Sequence, residues 1–137
     1  MNKSTFTQLD PKQQFWYART MVNMALADGH IHPSEQKYMQ IIFELFINSP
    51  KRLADLKKQS QRSSPEKILP VKGLSHELSI TILEDCVDAA IADAEFHEKE
   101  QEMIYEIGKH LKCSPGEIEE TISRGKQQLA HIFSLAS

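Results

Sequence analysis

Along most of this chain apolar residues recur every three or four positions, the spacing that gathers them on one side of an α-helix. Phe15, Ala18, Met21 with Val22, and Ala25 follow Asp10-Pro11, where Asp caps and Pro fits the first helical position; Gln13 completes a capping box. Gly29, which tolerates a left-handed backbone, is suited to stopping that helix. A second stripe, Tyr38, Met39, Ile42, Leu45 and Phe46, follows His32-Pro33 and has Glu35 in its first turn. Asn48-Ser49-Pro50 opens a short basic helix through Leu53 and Leu56. Ser75 caps a helix carrying Leu78, Ile82, Cys86 and Ala89 or Ala90 to an end at Asp93, and Met103, Ile104, Ile107 and Leu111 mark its partner. Ser114-Pro115-Gly116-Glu117 is a capping box that opens a terminal helix through Ile118, Ile122, Leu129, Ile132 and Phe133, bent or divided at Gly125. Residues 1–9 read as a loose lead-in, Gln59 to Pro65 as a mobile Ser-rich loop, and Leu69 to Gly73 as a second break. No strand-like alternation occurs, so the pattern predicts an all-α, single-domain bundle of about seven helices over residues 1–137.

One stretch occurs twice. Ala27-Asp28-Gly29-His30-Ile31-His32-Pro33-Ser34-Glu35 reappears as Ala92-Asp93-Ala94-Glu95-Phe96-His97-Glu98-Lys99-Glu100, 65 residues later. Val22 and Ala25 align with Val87 and Ala90 at the same interval, and Met39, Ile42 and Phe46 with Ile104, Ile107 and Leu111. The match of Asp, a large apolar residue, His and Glu in fixed places predicts an internal duplication. The repeated unit is a helix, a tight acidic loop and a second helix, with copies at about residues 11–47 and 76–112. Alone, each hairpin leaves an apolar face bare, so the two are expected to pack together. Ala25, Ala27, Ala89, Ala90 and Ala92 would let the loop-bearing helices approach closely.

Composition narrows the function. The net charge of −3 does not favour nucleic acid. Residues 51–72 carry 7 basic and 2 acidic side chains, and residues 84–106 carry 9 acidic and 1 basic, which predicts a polarised surface of mostly solvated charges. The two cysteines, Cys86 and Cys113, have no metal-finger or redox spacing, and Cys86 falls in a core pattern. The start of the chain has no apolar leader region, and the run Ile41 to Ile47 is too short to span a bilayer and is interrupted by Glu44. A cytoplasmic protein with free thiols and no direct membrane insertion is expected.

The candidate chemistry lies in the repeated loops. Asp28 and Asp93 end their helices and Glu35 and Glu100 begin the next ones. Pairing of the copies about a pseudo-two-fold axis would bring the four carboxylates together. Two like charges about 4 Å apart repel by roughly 4 kcal/mol at an effective dielectric of 20, a cost relieved by a cation, a shared proton or outward orientation. A cation there would be hard: Ca²⁺, Mg²⁺ or Mn²⁺, with Zn²⁺ favoured if His32 or His97 turned inward. The loop matches the second half of an EF-hand, but the first ligand positions are Met24 and Leu26 in one copy and Ala89 and Ile91 in the other. These cannot hold calcium, so any metal would draw on both copies. The plainer reading is that Glu35 and Glu100 stabilise helix starts, His32 and His97 serve as N-caps, Asp28 and Asp93 bond loop N–H groups, and Ile31 and Phe96 plug the core. No nucleophile elbow, phosphate loop or compact zinc-protease motif occurs, so no enzyme activity is expected.

At these motifs the sequence resembles the tellurite-resistance TerB-like family, which is marked by a duplicated Ala-Asp-Gly-x-apolar-x-x-x-Glu motif on an all-helical fold. The resemblance covers roughly residues 11–124; the second copy departs by having Ala94 where Gly is common. It implies a compact bundle with an acidic divalent-cation site at Asp28, Glu35, Asp93 and Glu100. It also implies a bacterial stress-response role, since the family includes tellurite-resistance proteins and modules fused to membrane-associated and DnaJ-type co-chaperone proteins. The alternative is a metal-free interaction scaffold with a protein partner, the homodimer among the possibilities.

Overall fold

A computed structural model describes residues 1–27, 29–91 and 96–136. The described residues form seven helices and no strand: α1 (Lys3–Thr7), α2 (Pro11–Leu26), α3 (Pro33–Phe46), α4 (Pro50–Ser60), α5 (His76–Ile91), α6 (Glu98–His110) and α7 (Pro115–Ala136). The all-α expectation holds. α2 and α5 begin at 11 and 76 and end at 26 and 91, an interval of 65 at each end. α3 and α6 begin at 33 and 98, and α4 and α7 at 50 and 115, the same interval again. The spacing therefore extends to a third helix in each set, beyond the hairpins the sequence pattern suggests.

Packing follows the same grouping. α2 lies against α5 and α6, α4 covers α2 and α3, and α7 covers α5 and α6. The hairpins do pack on each other. Their shared core is built from Tyr17, Val22, Leu26 and Phe43 on one side and Ile82, Leu83, Ile104 and Ile107 on the other.

The helix starts obey local chemistry. Asp10 accepts from Gln13 N–H at 2.8 Å while the Gln13 side chain accepts from Asp10 N–H at 3.0 Å. Ser49 and Ser75 accept from Arg52 and Leu78 N–H groups. Ser114 and Glu117 exchange bonds of 2.8 and 3.2 Å. The Ser114 N–H, joined by its hydroxyl and by His76, holds the Glu117 carboxyl below the usual carboxylate range. Gly29 sits at φ 120°, the positive backbone angle that lets α2 end in a tight turn.

Residues 1–9 are not a loose lead-in. Asn2 caps α1, and Phe6 and Leu9 are buried, α1 bridging α3 and α5. Phe6 stacks on Phe46 at 4.8 Å between ring centroids and meets the Tyr17 edge at 4.8 Å. A five-residue helix has no stability of its own, so tertiary contacts hold it.

The segment from Gln59 to Gly73 is also more ordered than its composition suggests. Gln59 and Ser60 still belong to α4 and are buried, with Gln59 Nε2–H donating to the Arg19 carbonyl and to Asn23 Oδ1. Residues 66–72 then run along a polar stripe on α2. Glu66 N–H donates to Asn23 Oδ1, Arg19 pairs with Glu66, Trp16 Nε1–H donates to the Leu69 carbonyl, and Gln13 Nε2–H donates to the Lys72 carbonyl. Only Ile68 of this stretch is buried, and side chains of α2 tie the otherwise largely exposed backbone to the bundle through these bonds.

Three further expectations change. On α3, Met39, Ile42 and Phe43 are buried, whereas Tyr38 and Leu45 face outward with Ile41. Gly125 does not divide α7, which is continuous; a Cβ there would lie 2.6 Å from Val87 Cγ1, so the glycine permits close approach to α5. Ile132 and Phe133 are exposed rather than in the core. Of the small residues on the loop-bearing helices, Ala27 and Ala90 are buried and Ala89 is exposed.

Candidate functional site

Each repeated loop enters its second helix through a histidine. His32 is the N-cap of α3: its Nδ1 accepts from Ser34 N–H at 3.2 Å and lies 2.7 Å from Ser34 Oγ. Pro33 occupies the first helical position, and Glu35 is the third residue of the helix, exposed to solvent. His97 is the N-cap of α6. Its backbone N–H donates to Glu100 Oε1 at 3.2 Å, and its ring Nε2 is 4.0 Å from that oxygen, an ion pair when the imidazole is protonated. The capping roles expected of the histidines and of Glu100 are therefore present.

The two glutamates differ sharply in burial. Glu100 is 4% exposed while Glu35 stands in water. Asp28 and Asp93 lie outside the described residues, as do Ala92, Ala94 and Glu95. Among the described residues no group of three or more His, Cys, Asp or Glu side chains is gathered for a metal. Ile31 is buried and Phe96 half-buried, the latter carrying Lys126 Nζ over its ring at 5.1 Å.

A groove of about 420 Å³ opens beside the first loop. Ala27 and Gly29 form one wall, Ser63, Ser64 and Pro65 a second, and Lys99, Glu102, Met103 and Glu106 of α6 a third. The first loop thus faces the early turns of the second hairpin's outgoing helix. Sequence reasoning overlooked Lys99, Glu102 and Glu106, although their spacing of three, four and seven already placed them on one face of α6. Comparison of the chain with protein-family models, with curated proteins and with solved structures finds no match. No helix among the described residues is long and apolar enough to cross a membrane.

A second polar site lies within the bundle. Asp85 of α5 is buried, and its Oδ2 accepts from Thr5 Oγ1 at 2.6 Å and from Tyr17 Oη at 2.8 Å. Asn2 N–H donates to the Tyr17 oxygen at 3.0 Å. Asp85 is three residues after Ile82, on the inward face of α5, so its burial was readable from spacing; its partners, 80 and 68 residues away, were not. Burial pushes the Tyr17 phenol far above its ordinary range, with the Asp85 carboxylate adding to the effect and the Asn2 N–H opposing it. Burial, reinforced by Asp85, also raises the adjacent Cys86 thiol.

Both groups stay protonated in the folded chain. The unfolded chain releases its protons as pH rises through about 8.5 for Cys and about 10 for Tyr. The unfolded state then binds fewer protons, so stability is full below these values and falls above them, by about 1.4 kcal/mol per pH unit for each group. Urea melts between pH 8 and 11 should show that decline. Tyr17→Phe should reduce the part that begins near pH 10 and leave the part due to the buried thiols, Cys86 and, through burial beside Glu117, Cys113; an unchanged profile in the variant would contradict the assignment.

Proposed function

We propose that this chain is a non-catalytic helical module of the tellurite-resistance TerB-like kind, built by duplication of a three-helix unit, and that its two hairpin loops form an acidic face that binds a divalent cation in a stress response. The duplication reading is supported by helix starts that repeat at 65 residues in three pairs, including Ser49-Pro50 against Ser114-Pro115, and by the matching ends of α2 and α5. The single observation that carries the cation reading is the shared groove. Ala27 and Gly29, on either side of Asp28 in sequence, border the same space as Glu102 and Glu106 of the second hairpin. Asp28, Glu35, Asp93 and Glu100 remain the proposed ligands, and oxygen donors of this kind suit Ca²⁺, Mg²⁺ or Mn²⁺. Zn²⁺ becomes the better fit if His32 or His97 supplies its ring.

Thermal melts with each cation test the proposal. A cation at a hundredfold excess over its Kd adds about 2.7 kcal/mol, which is on the order of 8 °C for a domain of this size. Asp28→Asn combined with Asp93→Asn should abolish the rise. Wild-type melts unmoved by Ca²⁺, Mg²⁺, Mn²⁺ and Zn²⁺ would end the cation reading.

The second reading, a metal-free interaction scaffold, is favoured by a different observation. Glu100 already has a capping partner in the His97 N–H, and large apolar side chains stand in solvent on α3 and α7. On that reading the acidic loops are architectural and a protein partner is the ligand.

A further inference from the structure

Two apolar patches on this chain face water, and we propose that they cover each other between two copies, the tip of α7 from one copy lying on the outer stripe of α3 of the other. The proposal goes beyond the cation reading and does not depend on it.

The stripe consists of Tyr38, Ile41 and Leu45, exposed at 60%, 51% and 62%, at positions that share one side of α3. The residues 65 positions after Tyr38, Ile41 and Leu45 are Met103, Glu106 and His110 on α6, so two of the three matching positions are polar there. α4 packs on α3, where Gln36 and Gln40 line the space between them, and the stripe is left open.

The tip arises because α7 outruns its neighbour. Ile118 meets Gly108 beside Leu83, and Gly125 meets Val87 and Ile91, so α7 runs in the same direction as α5 and passes its last residue near Gly125. The remaining 11 residues to Ala136 extend on the order of 16 Å at the helical rise. Ile132, Phe133 and Leu135, exposed at 60%, 52% and 75%, lie on this overhang. Tip and stripe are bare in the same molecule, so neither covers the other within one chain.

Two arguments select a second copy as the occupant. The first is area. Covering these six side chains on both copies would remove on the order of 1,400 Å² of surface, within the span of about 1,200–2,000 Å² typical of specific stable interfaces. The second is charge. The overhang after Gly125 has no acidic residue, with Lys126 at its base over Phe96, whereas exposed Glu44 stands beside Ile41 and Leu45 on the stripe and Lys37 lies one turn before Ile41. A reciprocal exchange, each tip on the other copy's stripe, closes with two-fold symmetry and leaves neither patch open.

Sedimentation velocity of the full chain in chelator, from 1 to 200 µM, tests this. The wild type is expected to be dimeric at the upper end. Ile41→Glu and Phe133→Glu, both at exposed positions, should each weaken the dimer about tenfold or more while circular dichroism keeps the same helical signal. An equal mixture of the two variants is the decisive sample. One tip and one stripe remain intact and face each other in the mixed pair, so association should partly return. Loss of the dimer in only one variant would overturn the pairing, because it would mean like patches meet. A wild type monomeric throughout would also overturn it. So would a monomer that co-sediments, through Phe133, with vesicles of phosphatidylcholine containing one-third phosphatidylglycerol, since a lipid surface would then be the occupant.

Discussion

The Phe6→Ala protein is expected to lose about 3–5 kcal/mol, the range for emptying the site of a fully buried aromatic side chain. Phe6 is fully buried, stacked on Phe46 and set edge-on to Tyr17, with Phe43 a further edge contact at 6.5 Å. Aromatic pairs of this geometry contribute about 0.5–1.5 kcal/mol beyond the area they bury. The loss is concentrated because α1 is five residues long and Phe6 is its one fully buried aromatic anchor, beside the Thr5–Asp85, Asn2–Tyr17 and Gln14–Phe6 carbonyl bonds. Without Phe6, α1 should undock rather than shift. Tyr17 would then lose the Asn2 N–H, and Asp85 the Thr5 hydroxyl. Urea melts give the stability change. Fast amide exchange over residues 3–8 and a smaller denaturant slope would mark undocking. A loss under 1 kcal/mol would mean that α1 contributes little to the bundle.

Gly125→Val should cost about 2–3 kcal/mol. The added Cβ alone would sit 2.6 Å from Val87 Cγ1 and 3.2 Å from Ile91 Cδ1. Valine side chains on a helix have one strongly preferred rotamer, so Val87 cannot swing aside cheaply. Overpacking of this kind costs about 1–3 kcal/mol, offset by a few tenths from the better helix propensity of Val over Gly. Gly125→Ala should cost less, and Val87→Ala should relieve it. A thermodynamic cycle over Gly125→Ala and Val87→Ala would show coupling of about 0.5–3 kcal/mol if the two atoms collide as described. Strict additivity of the two changes would contradict the close contact.

Both predictions concern features whose legibility differed. The helix starts were readable because capping is a local matter: Asp10, Ser49, Ser75 and Ser114 each bond an N–H within three residues. The expectation that Gly125 divides α7 is not met, because a glycine in a helical pattern permits a break or a close approach. Only the neighbouring helix, through Val87 and Ile91, distinguishes the two. The lead-in reading of residues 1–9 erred for a similar reason. A single Phe among polar residues has no period, and its burial depends on rings 11 and 40 residues away. At the repeated loops, spacing identified His32, His97 and Glu100 in capping positions, since those bonds are also local. The burial of Glu100 against the exposure of Glu35, two residues in matching places, was not readable from the repeat.

The chain's own pattern thus determined the helical class, most helix starts and the interval at which they recur, but neither α1 nor the end of α4, because periodicity, caps and breakers act over a few residues. Tertiary structure decided which apolar residues are used: Phe43 and Phe6 inside, Tyr38, Ile41, Leu45 and Phe133 outside. It also decided that the first loop faces α6 across a groove and that α7 runs past α5. Those outcomes rest on contacts between residues far apart in sequence, where many partners satisfy the same local pattern and only packing of the whole bundle selects among them.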